Sequence, residues 1–209
     1  MKLYTKTGDK GVTSLYDGTR KPKNSVEFDC LGDFDELNAL LGLAKAFWKE
    51  IINESEIKYY NGPGAGGLWY KTEKSVDSGM YYEWYAFGEI ITSIQCTIMD
   101  ICSIIATPNN KYPFEEQMII DIEKQIDRLD SLLPKLTNFV VPSGNKLVAQ
   151  LHVCRTVTRR CERNILLLTE NKNVNIYINR LSDFLFVLSR FVVFSLNINE
   201  DIYKRSLKE

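Results

Sequence analysis

Residues 142–168, PSGNKLVAQLHVCRTVTRRCERNILLL, constrain the fold more than any other stretch of the chain. After a Pro-Ser-Gly turn, Leu147, Leu151, Cys154, Cys161, Ile165 and Leu168 recur with the spacing of a buried helical seam. Arg155, Arg159 and Arg163 fall at every fourth position beside that seam. At about 3.6 residues per turn they stack into one cationic stripe. Guanidinium forks match phosphate oxygens and keep their charge at neutral pH, so the stripe is a candidate polyanion site. With Glu162 among them, the same residues also fit a solvated face of intrahelical Arg–Glu pairs.

Four more segments carry helical periodicity. Asp33 reads as an N-cap with Glu36 in the capping-box position, and Leu37, Leu40, Leu41, Ala44, Phe47, Trp48 and Ile51 follow as an apolar stripe. Asp35 then falls in the first turn, suited to the helix dipole or to an arginine across a contact. A second helix is expected over 85–106, with isoleucines from Ile90 to Ile105 and a stop at Pro108. A third is expected over 114–133, stopped by Pro134, and a last one over 175–196. The tail from residue 197 is polar and is expected to fray. No strand pattern of any length competes. The expected fold is all-α: a five-helix bundle with a four-helix-bundle-like core and an N-terminal loop packed on it. A single domain is expected over 1–209. An insertion at about 53–82 contains a glycine cluster without the strand and helix a nucleotide loop needs, and it reads as a flexible connector.

The N-terminal run Thr5-Lys6-Thr7-Gly8-Asp9-Lys10-Gly11-Val12-Thr13-Ser14 is rich in glycine, hydroxyls and lysine, with Lys21 and Lys23 downstream. Such a turn can form an anion nest from successive amides. It is not a P-loop, and an ordinary exposed hairpin fits it as well. Lys+Arg at 26 against Asp+Glu at 27 argues against a general nucleic-acid binder, which usually carries a basic excess. The five cysteines have no CxxC spacing and suggest reduced thiols in an intracellular protein. The single histidine, His152, has no Glu three residues before it, which argues against a di-iron or zinc site and for a packing role. The most apolar run, 184–196, is broken by Arg190 and is too short to cross a bilayer, and no secretory signal is visible.

Read together, Thr5 through Gly11, Gly32 through Leu37, Pro142-Ser143-Gly144, Arg155 through Arg163 and Asn179-Arg180-Leu181-Ser182-Asp183 resemble the PduO-type ATP:cobalamin adenosyltransferases. The segments recur in the same order and cover most of the chain outside the insertion. The resemblance implies transfer of the 5′-deoxyadenosyl group of ATP to cob(I)alamin, with release of inorganic triphosphate. It implies a homotrimer with active sites between subunits. Thr5, Lys6, Thr7, Gly8, Thr13, Ser14, Lys23, Arg159, Arg160, Glu162, Arg163 and Asn179 would contact ATP. Arg159 and Arg163 would act on the leaving group, Asp35 would pair with Arg155 across the subunit contact, and Phe139 and Phe186 would line the corrin. Mg²⁺ would accompany the ATP phosphates, with K⁺ as a further ion. A flavoprotein reductase and an adenosylcobalamin-dependent enzyme are the implied protein partners, with neither nucleic acid nor membrane. The compartment would be the cytoplasm, or the mitochondrion if a transit peptide has been removed. The chain departs from the family's usual residues at Asp33, where Thr is common, at Asn145, where Gly is common, and in the length of the insertion.

Overall fold

The computed structural model describes residues 4, 6–54, 58–61, 68–71, 87–108, 112–169 and 171–204. Among these residues a short hairpin of β1 (Val12–Ser14) and β2 (Arg20–Pro22) precedes the long helix α1 (Val26–Glu54). A second hairpin, β3 (Lys58–Asn61) and β4 (Leu68–Lys71), leads to α2 (Phe87–Ala106), α3 (Glu116–Ser131), α4 (Lys146–Ile165) and α5 (Lys172–Ser195). The expected five-helix, all-α architecture is the one observed.

Beside the helices stand only short strands among the described residues, in two antiparallel hairpins, one with Thr13 opposite Lys21 and one with Tyr59 opposite Tyr70. Runs of three or four residues are too short to show a period in the sequence. The second hairpin lies inside the 53–82 stretch; the rest of that stretch beyond α1 falls outside the described residues.

Packing runs α2–α1–α4–α5–α3. Phe34, Leu37 and Leu41 of α1, Ile91, Ile98 and Ile101 of α2, Leu147 and Leu151 of α4, and Ile178, Leu181 and Phe184 of α5 are fully buried at the centre. Burying each such side chain contributes about 1.5–3 kcal/mol, which is why the apolar stripes dictate the bundle. Trp48 stacks on Phe87 at 5.4 Å and closes the α1–α2 end. By length and composition α2 is apolar enough to cross a membrane, with 33% of its most apolar window buried in the single chain.

Two helix starts differ from expectation. α1 begins at Val26, so Asp33 is not an N-cap and Asp35 is not in the first turn. The start is set instead by Ser25, whose carbonyl accepts from the amides of Phe28 and Asp29. Glu27 in the first turn suits the dipole and holds Lys21 of β2 at 2.5 Å. α5 begins three residues early because Asn171 caps it, accepting from the amides of Asn173 and Val174.

Residues 197–204 of the tail do not fray. Asn197 adopts φ 53°, the Ile198 amide reaches back to Val193 O at 2.9 Å, and the Asn197 amide reaches Phe194 O at 3.1 Å. This is a Schellman stop, which reverses the chain and satisfies the last carbonyls of α5. The segment then pairs antiparallel with the α3–α4 loop: Val141 N donates to Asp201 O at 2.7 Å, and Tyr203 N to Phe139 O at 2.8 Å.

Candidate nucleotide and corrinoid site

α4 positions most of the candidate residues. Asn145, the departure after Pro-Ser-Gly, is its N-cap: the side chain accepts from Val148 N at 2.9 Å. Gly144 precedes it at φ 98°, where a Cβ would press on the Val148 side chain at 3.2 Å. From that start, Leu147, Leu151, Cys154 and Cys161 turn inward and are fully buried, as the seam predicts, and the arginines emerge alongside.

Those arginines do not behave alike. Arg159 is exposed, and Arg163 is exposed and donates to the Arg159 carbonyl at 2.9 Å. Arg155 is half-buried with its guanidinium 6.0 Å from the Phe186 ring, and its Nε is buried with no hydrogen-bond partner. Burial, and then the neighbouring Arg159 charge, lower its pKa from the usual guanidinium value, although an arginine so placed stays charged. Among the described residues none of these three has a carboxylate partner.

Arg160 is different: its Nε reaches Asp33 at 2.8 Å and another nitrogen binds Glu36. Asn164 holds the other Asp33 oxygen at 2.6 Å. Asp33 and Glu36, expected to cap α1, thus join α1 to α4. Glu162 is taken by Asn179 of α5 at 2.7 Å, and Arg180 links the same asparagine (2.9 Å) to Glu123 of α3 (2.7 Å).

The N-terminal stretch is a hairpin, as one of the two sequence readings allowed. Gly11 at φ 77° turns the chain into β1. Arg20 ties the loop down by donating to Thr7 O at 3.0 Å, and Lys23 N donates to Gly11 O at 2.9 Å. The Lys23 side chain lies over Gly8 so closely that a Cβ there would sit 3.2 Å from its Nζ. Gly8 and Lys23 are therefore brought together, with half-buried Thr13 and exposed Lys6, Thr7 and Ser14 on the same hairpin. Lys6 itself has φ 60°, a strained value for a side-chain-bearing residue. Thr5 lies outside the described residues.

Asp35 is exposed on α1, where its charge acts on Cys102 of α2, whereas Arg155 faces His152 and Phe186 across α4 and α5. The two expected partners stand on different sides of one chain. His152 is buried beside Phe186 (6.3 Å), with Nε2 3.4 Å from Ser189 Oγ and Nδ1 unpartnered. Burial first, then Arg155, lower its pKa and favour the neutral imidazole, in keeping with a packing role. Phe139 is 82% exposed on the α3–α4 loop.

Sequence reasoning missed Arg190 and Glu200. Arg190 is 5% exposed within the apolar run of α5, donates to Pro134 O at 3.0 Å and pairs with Glu200 at 3.0 Å. The signal was available, because a charge amid buried apolar residues requires a partner. Burial pushes the Cys30 and Cys154 thiols up to about 12, so they are inert packing groups.

Among the described residues no three His, Cys, Asp or Glu side chains converge on a metal position. A cleft of about 520 Å³ opens between Tyr16, Leu31, Cys102 and Phe114, but none of its lining residues belongs to the arginine stripe. The candidate residues thus fall into separate groups among the described residues: the hydroxyl and lysine hairpin, the arginines of α4, and exposed Phe139.

A helical bundle with an unneutralised arginine ridge and a glycine-hydroxyl hairpin is the frame of a protein that handles a phosphorylated ligand. The cobalamin adenosyltransferase family model matches residues 3–192, and the chain belongs to that family. It is 36% identical to human corrinoid adenosyltransferase MMAB over 98% of this chain and 74% of that protein. It is 34% identical to the Bacillus subtilis corrinoid adenosyltransferase over 99% and 94% of the two chains. A variant PduO-type ATP:corrinoid adenosyltransferase from Lactobacillus reuteri, complexed with cobalamin and ATP, superposes with a TM-score of 0.75. That match is 27% identical and covers 98% of this chain and 100% of the other.

Proposed function

We propose that this chain is an ATP:corrinoid adenosyltransferase that moves the 5′-deoxyadenosyl group of ATP to cob(I)alamin and releases triphosphate. One observation carries the reading on this chain: Arg155, Arg159 and Arg163 stand along one helix with no carboxylate partner among the described residues, while nearby arginines are paired. Cobalt of the reduced substrate is the nucleophile. It attacks the ribose 5′ carbon as the bond to the triphosphate oxygen breaks, so the protein need supply no nucleophile of its own. Its tasks are alignment of two substrates and stabilisation of negative charge growing on the leaving triphosphate. Arg159 and Arg163 suit the second task, since fixed guanidinium donors need no rearrangement as charge develops.

ATP would be held by Thr5, Lys6, Thr7, Gly8, Thr13, Ser14 and Lys23 of one subunit. Arg159, Arg160, Glu162, Arg163 and Asn179 of its neighbour would complete the site. Within that set, Arg160 and Asn179 are already held by Asp33, Glu36 and Glu162, so their share is to fix the ridge as well as to meet the nucleotide. A homotrimer is supported by the candidate groups being separate on one chain, by Asp35 and the orphaned Arg155 Nε standing apart, and by the partly uncovered apolar surface of α2. Mg²⁺ would arrive on the ATP phosphates, because the described side chains offer no cage of their own. K⁺ would be a further ion at the nucleotide. Phe139 and Phe186 would face the corrin, Phe139 excluding the lower axial ligand so that Co(II) accepts an electron more readily. A reductase would supply that electron, and an adenosylcobalamin-dependent enzyme would take the product.

The test is anaerobic mixing of the protein with MgATP and chemically reduced cobalamin. Loss of the cob(I)alamin absorbance with one triphosphate released per corrinoid is expected. Binding of both ligands with no triphosphate would replace the enzyme by a corrinoid carrier or sensor.

A further inference from the structure

Beyond residue 192, where the family match ends, the described residues 197–204 form a strap that packs Ile198 on the core and pairs with the loop that carries Phe139. Three features build it. The Schellman stop at Asn197 turns the chain back on α5, and Ile198 packs against the core. Two backbone bonds, Val141 N to Asp201 O and Tyr203 N to Phe139 O, flank Val140 and tie down the main chain of Phe139 itself. Arg190, buried in α5, then fixes both layers at once. Its Nη2 holds the Pro134 carbonyl, where the loop leaves α3, and its Nε holds Glu200 in the strap. A loop whose Phe139 is 82% exposed has no apolar packing of its own to hold the ring in place. The strap supplies that rigidity from behind.

We infer that Arg190 and Glu200 are positioning residues for the corrin step, clamping the strap so that Phe139 is held against the cobalamin face. This rests on the adenosyltransferase reading above. A group that must fill the lower axial position has to be placed within a fraction of an ångström, and a guanidinium bridging two segments achieves that without touching the substrate.

Glu200→Gln keeps the side chain's size and removes its charge, and is the first variant to make; Arg190 lies too deep for its loss to be read cleanly. In Glu200→Gln the Val141 and Tyr203 amides lose protection from hydrogen exchange. The fraction of ATP-complexed cob(II)alamin that lacks axial nitrogen coupling in its electron paramagnetic resonance spectrum falls. The kcat drops roughly 10- to 100-fold with KM for ATP unchanged, as expected for a misplaced reacting geometry. In a Phe139→Ala background Glu200→Gln adds nothing further, because the two act through one ring. Unchanged amide protection in Glu200→Gln would overturn the clamp. Lost protection with a wild-type spectrum and rate would overturn its role in the corrin step, as would additive losses in the double variant. Absence of transfer by the wild-type protein would instead count against the adenosyltransferase reading, and the exchange measurement would still decide the clamp.

Discussion

The six arginines of α4 and α5 fall into two groups. Arg160, Arg180 and Arg190 each meet a carboxylate of another segment: Asp33 and Glu36 on α1, Glu123 on α3, and Glu200 in the strap. Arg155, Arg159 and Arg163 meet none among the described residues. Side-chain chemistry is identical, so placement alone separates them. Arginines that reach a carboxylate on a neighbouring segment are neutralised and hold the bundle together; Arg155, although half-buried against Phe186, meets none. Arginines on the outer ridge keep their charge unspent, which leaves them able to bind a polyanion. Net charge hides this division: the chain as a whole carries −1.

The strongest way to break the comparison is Arg159→Ala or Arg163→Ala. Loss of one preorganised donor to a developing anion costs about 10²–10³ in rate, so adenosyl transfer should collapse while the thermal midpoint stays nearly unchanged. Wild-type turnover in both would erase the functional half of the division. Asp33→Ala probes the other half. It removes two charge-assisted or polar contacts to Arg160 and Asn164 and should cost about 2 kcal/mol, measured by urea unfolding, with a clear fall in midpoint. If Asp33→Ala were no less stable than Arg159→Ala, the paired arginines would not be structural.

A pH series sharpens the picture next. His152 is the only histidine and its folded pKa is lowered by burial and Arg155, whereas in the unfolded chain it takes a proton near 6.5. The unfolded state therefore binds the extra proton first. The stability His152 contributes is present above pH 6.5 and is lost as pH falls through the depressed folded value. His152→Gln should flatten the loss of stability on acidification from about pH 7 to 5. Identical slopes in the two proteins would show that His152 is not the group responsible. The smallest effect is expected at Asn145. Asn145→Ala should cost about 1 kcal/mol as a lost cap, and Asn145→Gly only a few tenths, so equal costs would rule out capping as its reason for replacing glycine.

Helix count, the buried seam of α4 and the stops at Pro108 and Pro134 were readable from residue order alone, because apolar spacing and proline act locally and every turn repeats the evidence. The motif set placed the chain in its family for the same reason: each piece is contiguous. Local signals also misled. Asp33 and Glu36 have the spacing of a capping box, and only the approach of α4 turns them into Arg160 partners. The polar tail looked frayed because pairing with residues 139–141 depends on a partner some sixty residues away in the chain. Sequence determined which residues are cationic, apolar or turn-forming. Which arginines are neutralised, and what holds Phe139 in the open, were decided by tertiary contact, because a charge or an edge amide is satisfied by whatever stands within about 3 Å of it and not by its neighbours in sequence.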